Sequence, residues 1–168
     1  IVCDKKQEYT CKELNQFIKN KDYELIDLMK SLKENGIKIY VASNSIRQTV
    51  ETCVTNLGIK DMIDGMLSNE DVLSPKPHPE IYMRCMIKEK AFPYETLIVE
   101  DSYIGRTSAI LSGAILCPVK NRTEVTKDRI FKYLNIKSNS VKWNDDKLNI
   151  IIPMAGRGSR FSNAGYTF

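Results

Sequence analysis

The stretch Thr96-Leu97-Ile98-Val99-Glu100-Asp101 constrains this chain most, because largely apolar β-formers run straight into two adjacent carboxylates. A Leu/Ile/Val run without alternation suits a parallel strand covered on both faces. The charges must then sit at the strand's end. In an open α/β sheet the carboxyl ends of the strands are where ligands bind, and a carboxylate pair there suits a hard cation such as Mg²⁺. Alternatively, Glu100 and Asp101 simply open the next helix, where acidic residues favour the positive dipole end.

The surrounding pattern supports alternating strands and helices. Leu25, Leu28, Met29 and Leu32 fall at i, i+3, i+4 and i+7 after Asp22, with Gly36 as the stop. Ile37–Ala42 reads as a strand. A helix follows, capped by Asn44 or Ser45, with Ile46, Val50, Cys53, Val54 and Leu57 inward and Gly58 at its end. Gly65–Leu67 is a short strand, and residues 79–90 form a helix with Ile81, Met86 and Ile87 among its apolar positions and Glu89 on its exposed side. Helix Ile104–Leu111, strand Ile115–Val119 and a basic amphipathic helix Thr123–Leu134 complete the series. These spacings predict an α/β protein: a Rossmann-like three-layer α/β/α sandwich on a parallel sheet.

Two further clusters carry chemistry. The first strand ends in Ser43-Asn44-Ser45, where a hydroxyl and the N–H groups of a helix start can hold a phosphoryl group; plain helix capping is the structural reading of the same residues. The second is Pro75-Lys76-Pro77-His78-Pro79-Glu80. Its prolines restrict the backbone and present Lys76 from a stiff loop. A Lys there can neutralise charge on an approaching phosphoryl group, or can be an ordinary solvated surface residue. His78, the sole histidine, reads as structural.

A strand-end Ser, a later Lys between prolines and a still later strand-end Glu-Asp, in that order, resemble the haloacid dehalogenase superfamily of phosphotransferases, in the branch with an inserted helical cap that includes β-phosphoglucomutase-like enzymes. The words Ser43-Asn44-Ser45, Ser68-Asn69-Glu70-Asp71-Val72, Lys76 through Tyr82, and Glu100-Asp101-Ser102 followed by Gly105 carry the resemblance over roughly residues 22 to 120. It implies that Ser43, Asn44 and Lys76 bind phosphate, with Ser43 and Lys76 taking part in catalysis, that Glu100 and Asp101 hold Mg²⁺, and that the substrate is a small phosphate ester, such as a sugar phosphate. Arg106 departs from the small or aliphatic residue expected after Gly105.

The same resemblance places residues 1–21 as the tail of a helical cap, 22–136 as an incomplete core, 137–147 as a linker and 148–168 as the start of another unit. Ile1-Val2-Cys3-Asp4 looks like a nucleophile strand, but Lys6 stands where the second carboxylate of the Asp-x-Asp motif belongs. The nucleophilic Asp is therefore expected upstream. Leu148–Ile152 followed by Pro153-Met154-Ala155-Gly156-Arg157-Gly158-Ser159-Arg160 resembles the opening of sugar-phosphate nucleotidyltransferases. Ala155, Gly156, Arg157, Gly158 and Arg160 would then wrap a nucleoside triphosphate in a bifunctional protein. A dozen or so residues cannot build that fold by themselves.

The formal charge of +4, without a dense basic stripe, gives no sign of a nucleic-acid partner, and no apolar run is long enough for a membrane span. Five scattered cysteines fit the reduced thiols of a cytoplasmic protein. Three readings follow: a Mg²⁺-dependent phosphatase working through an aspartyl-phosphate, a phosphosugar mutase of the same fold, and a non-catalytic scaffold domain.

Overall fold

A computed structural model describes residues 21–134 and 149–152. Among these residues the α-helices are α1 (Tyr23–Glu34), α2 (Arg47–Asn56), α3 (Glu80–Glu89), α4 (Tyr103–Leu111) and α5 (Lys127–Tyr133). The strands are β1 (Lys38–Ala42), β2 (Gly65–Leu67), β3 (Thr96–Glu100), β4 (Ile115–Pro118) and β5 (Asn149–Ile152). They form one sheet in the order β2-β1-β5-β3-β4, every pairing parallel.

Alternation along the strands sorts the core into two layers. Ile39 and Val41 of β1, with Leu97 and Val99 of β3, face one way and pack with Leu28, Met29 and Leu32 of α1, Val50 and Val54 of α2, and Ile130 and Phe131 of α5. Tyr40 and Ala42, with Ile98, face the other way, onto Ile81, Tyr82 and Cys85 of α3 and Ala109 of α4. With both faces covered, Ile39–Ala42 of β1 and Leu97–Val99 of β3 form unbroken buried runs that carry no charge. The expected three-layer parallel α/β/α fold is present.

β1 leads outward to β2 on one side, and β3 to β4 on the other. The sheet's direction therefore reverses at β5, between the carboxyl ends of β1 and β3. That is the topological switch point, where open α/β sheets bind ligands.

Several local expectations change. Helix α2 is capped at Ile46 without a side-chain bond, not at Asn44 or Ser45; Glu70 Oε2 accepts the Arg47 N–H instead. Ile87 lies 73% exposed, because α3's inward stripe is Ile81, Tyr82, Cys85 and Met86. Glu89, expected on the exposed side, accepts a hydrogen bond from the Tyr40 hydroxyl. The helix expected over 123–134 is shorter: Arg122–Glu124 forms a 3₁₀ turn, and Thr126 then caps α5 through the Arg129 N–H.

Residues 149–152, read from sequence as the opening strand of a following unit, pair here with β1 on one side and β3 on the other, Asn149 opposite both Lys38 and Thr96. Asp4, the cap tail through residue 20, the 137–147 linker, and Ala155, Gly156, Arg157, Gly158 and Arg160 lie outside the described residues. Cys53, Cys85 and Cys117 are buried, and no disulfide joins them.

Candidate active site

Three segments converge on Lys76. Its loop is braced from α3, where the Glu80 carboxylate accepts the Leu73 and Ser74 N–H groups at 3.0 and 2.9 Å and pairs with Arg84. The Leu73 N–H, the Arg84 side chain and the Ser74 N–H hold the Glu80 carboxyl down at about 2. On the far side of the loop, Ser108 of α4 donates to the His78 carbonyl at 2.8 Å. His78 Nδ1 accepts the Glu80 N–H, which agrees with a structural role.

Asn44, just beyond β1, pairs with the Lys76 backbone in both directions. Its Oδ1 accepts the Lys76 N–H and its Nδ2 donates to the Lys76 carbonyl, each at 3.0 Å. The amide expected to touch phosphate thus fixes the height at which Lys76 enters the site. Ser43 is buried at the same strand end, and its Oγ accepts the Ser45 N–H at 3.1 Å.

The Lys76 side chain turns inward. Its Nζ donates to Glu100 Oε1 at 2.6 Å and to the Ala42 carbonyl at 3.1 Å, and lies 4.6 Å from the centre of the Tyr82 ring. The two charged side chains are only 5% and 2% exposed. Burial pulls the Lys76 pKa below its ordinary value, and the Glu100 carboxylate opposes that pull.

Glu100 points to the α3/α4 side because it shares parity with Ile98. Tyr82 donates to its Oε1 at 2.5 Å and Ser102 to its Oε2 at 3.2 Å. Gly105 makes room for it: a Cβ there would stand 2.1 Å from the Glu100 carboxyl carbon. The glycine is thus a steric requirement of the carboxylate. Arg106 donates to the Val119 carbonyl at 2.6 Å, tying α4 to the segment after β4.

Asp101 is exposed, with no hydrogen bond or ion pair to another described residue. The expected Mg²⁺ site is accordingly uneven: Asp101 offers free oxygens, while both Glu100 oxygens already have protein partners. Among the described residues, no group of three His, Cys, Asp or Glu side chains comes together to hold a metal. Of the expected pair, only Asp101 leaves its carboxylate oxygens without a partner among the described residues, the hard oxygen donor that a divalent cation takes.

The fold brings Lys76, Asn44 and Glu100 together, with Ser43 next to Asn44 and Asp101 next to Glu100 in the chain. Tyr82 carried no assigned role, although a Tyr within an apolar helical stripe must find a partner for its hydroxyl. Among the described residues no helix is long and apolar enough to cross a membrane.

Residues 2–119 match the family of haloacid dehalogenase-like hydrolases. Hexitol phosphatase B of Escherichia coli O157:H7 is 30% identical over 111 residues, 65% of this chain and 49% of that protein. Pyrophosphatase PpaX of Bacillus pumilus is 26% identical over 113 residues, 64% of this chain and 52% of that protein. The chain spans about half the length of these curated relatives. Among solved structures, β-phosphoglucomutase from Clostridium difficile superposes with a TM-score of 0.65 at 18% identity, over 79% of this chain and 65% of that one, a likeness of fold. With a switch-point lysine held against a strand-end carboxylate and a family match over most of its length, the chain belongs to the haloacid dehalogenase-like hydrolases.

Proposed function

We propose that this chain contributes the phosphate-handling half of a phosphatase acting on a small phosphate ester, with a sugar phosphate as the leading substrate class. The observation that carries this reading is the buried Lys76 ammonium held by Glu100 and Ala42 at the switch point. Removing that charge from water is costly, and a preorganised cation in a dry site stabilises the charge that develops on a transferring phosphoryl group. Phosphatases among the relatives, including one named for hexitol, support the substrate class.

In this reading Ser43 donates to a phosphoryl oxygen, Lys76 offsets its charge, and Asn44 keeps the lysine's backbone in place. Asp101 would hold Mg²⁺, which supplies charge neutralisation at the phosphoryl oxygens. The attacking carboxylate is not assigned among the described residues. The glycine-rich segment Ala155–Arg160 would serve a separate, nucleotide-using activity of a bifunctional protein.

The test is phosphate release from a panel of sugar and polyol phosphates, with and without Mg²⁺, by this chain and by a version extended upstream. Release by either form, reduced in Asp101→Asn far more than in the exposed control Glu34→Gln, is the expected result. Equal rates in the two variants would remove Asp101 from the metal site. Isomerisation of a sugar phosphate without net release would instead assign a mutase.

A further inference from the structure

Tyr82 lies in the first turn of α3, fully buried, with a hydroxyl and a ring that both address the Lys76–Glu100 pair. Glu100 Oε1 accepts two short hydrogen bonds, from Lys76 Nζ at 2.6 Å and from the Tyr82 hydroxyl at 2.5 Å. These two donors define where that oxygen stands. Gly105 lies against the same carboxylate, so closely that even a methyl group there would collide with it. The Lys76 ammonium in turn donates to the Glu100 oxygen and the Ala42 carbonyl and lies over the Tyr82 ring. Without the Tyr82 hydroxyl, Oε1 would keep only the Lys76 donor while the longer Ser102 bond holds Oε2 at 3.2 Å; the carboxylate could then turn about its terminal torsion, which has broad wells, and take the ammonium with it.

We infer that Tyr82 is a positioning residue for phosphoryl transfer: its hydroxyl locks Glu100, and through Glu100 it fixes where the Lys76 charge meets the phosphoryl group. The inference rests on the phosphatase reading above. Tyr82 does not touch substrate; it acts through Glu100. Because charge on the phosphoryl oxygens is felt most in the transition state, a displaced ammonium lowers kcat more than it raises KM.

The experiment compares Tyr82→Phe, Glu100→Gln and the double variant in the complete phosphate-releasing protein, with a melting curve for each. Tyr82→Phe keeps the ring and loses only the hydroxyl, so kcat is expected to fall about tenfold with a small change in KM, the loss of one hydrogen bond to a charged group. In the Glu100→Gln background the same substitution should cost almost nothing further, because both changes remove one interaction. Wild-type kcat with a lowered melting temperature, or losses that multiply in the double variant, would overturn the inference.

A second readout needs no variant. The Tyr82 hydroxyl proton, observed by NMR after tyrosine-selective labelling, should move when inorganic phosphate fills the site, and indifference to saturating phosphate would also overturn the inference. Should the wild type release no phosphate from any ester, the phosphatase reading itself fails. A working wild type matched by Tyr82→Phe sinks this inference alone.

Discussion

Two of the ion pairs among the described residues, Asp22–Arg122 and Lys76–Glu100, differ in nearly every physical respect. Arg122 grips Asp22 through Nε and Nη2, both at 2.6 Å, with side chains 25% and 21% exposed. Asp22 also caps α1 by accepting the Leu25 N–H at 3.0 Å. This clasp fastens the start of α1 to the segment after β4, and its charges stay near water. Lys76 and Glu100 are almost wholly buried, and Tyr82, Gly105 and Ala42 are arranged around them. A half-wet pair is cheap to form and contributes little beyond its cap. Burying a pair costs desolvation that apolar residues of similar size would not incur, so stability does not explain why this one is there. On the proposed phosphatase reading, its placement at the switch point, near Ser43 and Asp101, does.

The contrast breaks most visibly at Glu100. Glu100→Ala leaves the Lys76 ammonium buried without its carboxylate, and unfolding in urea should show a loss of about 3–5 kcal/mol. Gly105→Ala comes next. On a helix the substitution would normally stabilise by up to about 1 kcal/mol, but here the new methyl meets the Glu100 carboxylate, so a net loss of about 1–3 kcal/mol is expected. An unchanged or raised stability would show that Glu100 has room to move.

Asp22→Asn should matter least. Asn still caps a helix, and a half-exposed charge pair is worth at most about 1 kcal/mol. The clasp has a pH signature instead. Burial alone would raise the Asp22 pKa, but Arg122 and the Leu25 N–H outweigh it and hold the carboxyl below its ordinary value. A depressed folded pKa gives stability that is present above the unfolded value of about 3.9 and lost as pH falls through the folded one. Asp64, held by Lys33, the Ile39 N–H and Lys38 against the opposing effect of burial, behaves in the same way. Acid titration of stability should therefore flatten slightly below pH 4 in Asp22→Asn, and identical acid limbs would remove the clasp from the acid response.

Much of this was legible in the sequence. The unbroken apolar runs of β1 and β3 announced a sheet covered on both sides, and the polar residues at their ends marked the site. What escaped was the direction in which each side chain turns. Asn44 at a strand end reads equally well as a cap or a phosphate ligand, and only the fold shows its amide engaged with the Lys76 backbone. Glu100 and Asp101 look equivalent as neighbours, yet strand alternation sends Glu100 into the α3/α4 layer while Asp101, one residue on, is exposed. Ile87 has the spacing of a core residue, but the inward stripe of α3 belongs to Tyr82 and Cys85. Periodicity finds a helix's apolar residues without saying which of two adjacent stripes the sheet will meet.

The most direct test replaces the buried pair as a unit. Lys76→Met with Glu100→Leu keeps the site filled and removes both charges, and unfolding free energy and phosphate-release rate are measured on the same preparation. The account predicts a protein within about 2 kcal/mol of the wild type, with its rate lowered about a hundredfold or more. A double variant that still releases phosphate at the wild-type rate would contradict the claim that this pair is kept for phosphoryl transfer.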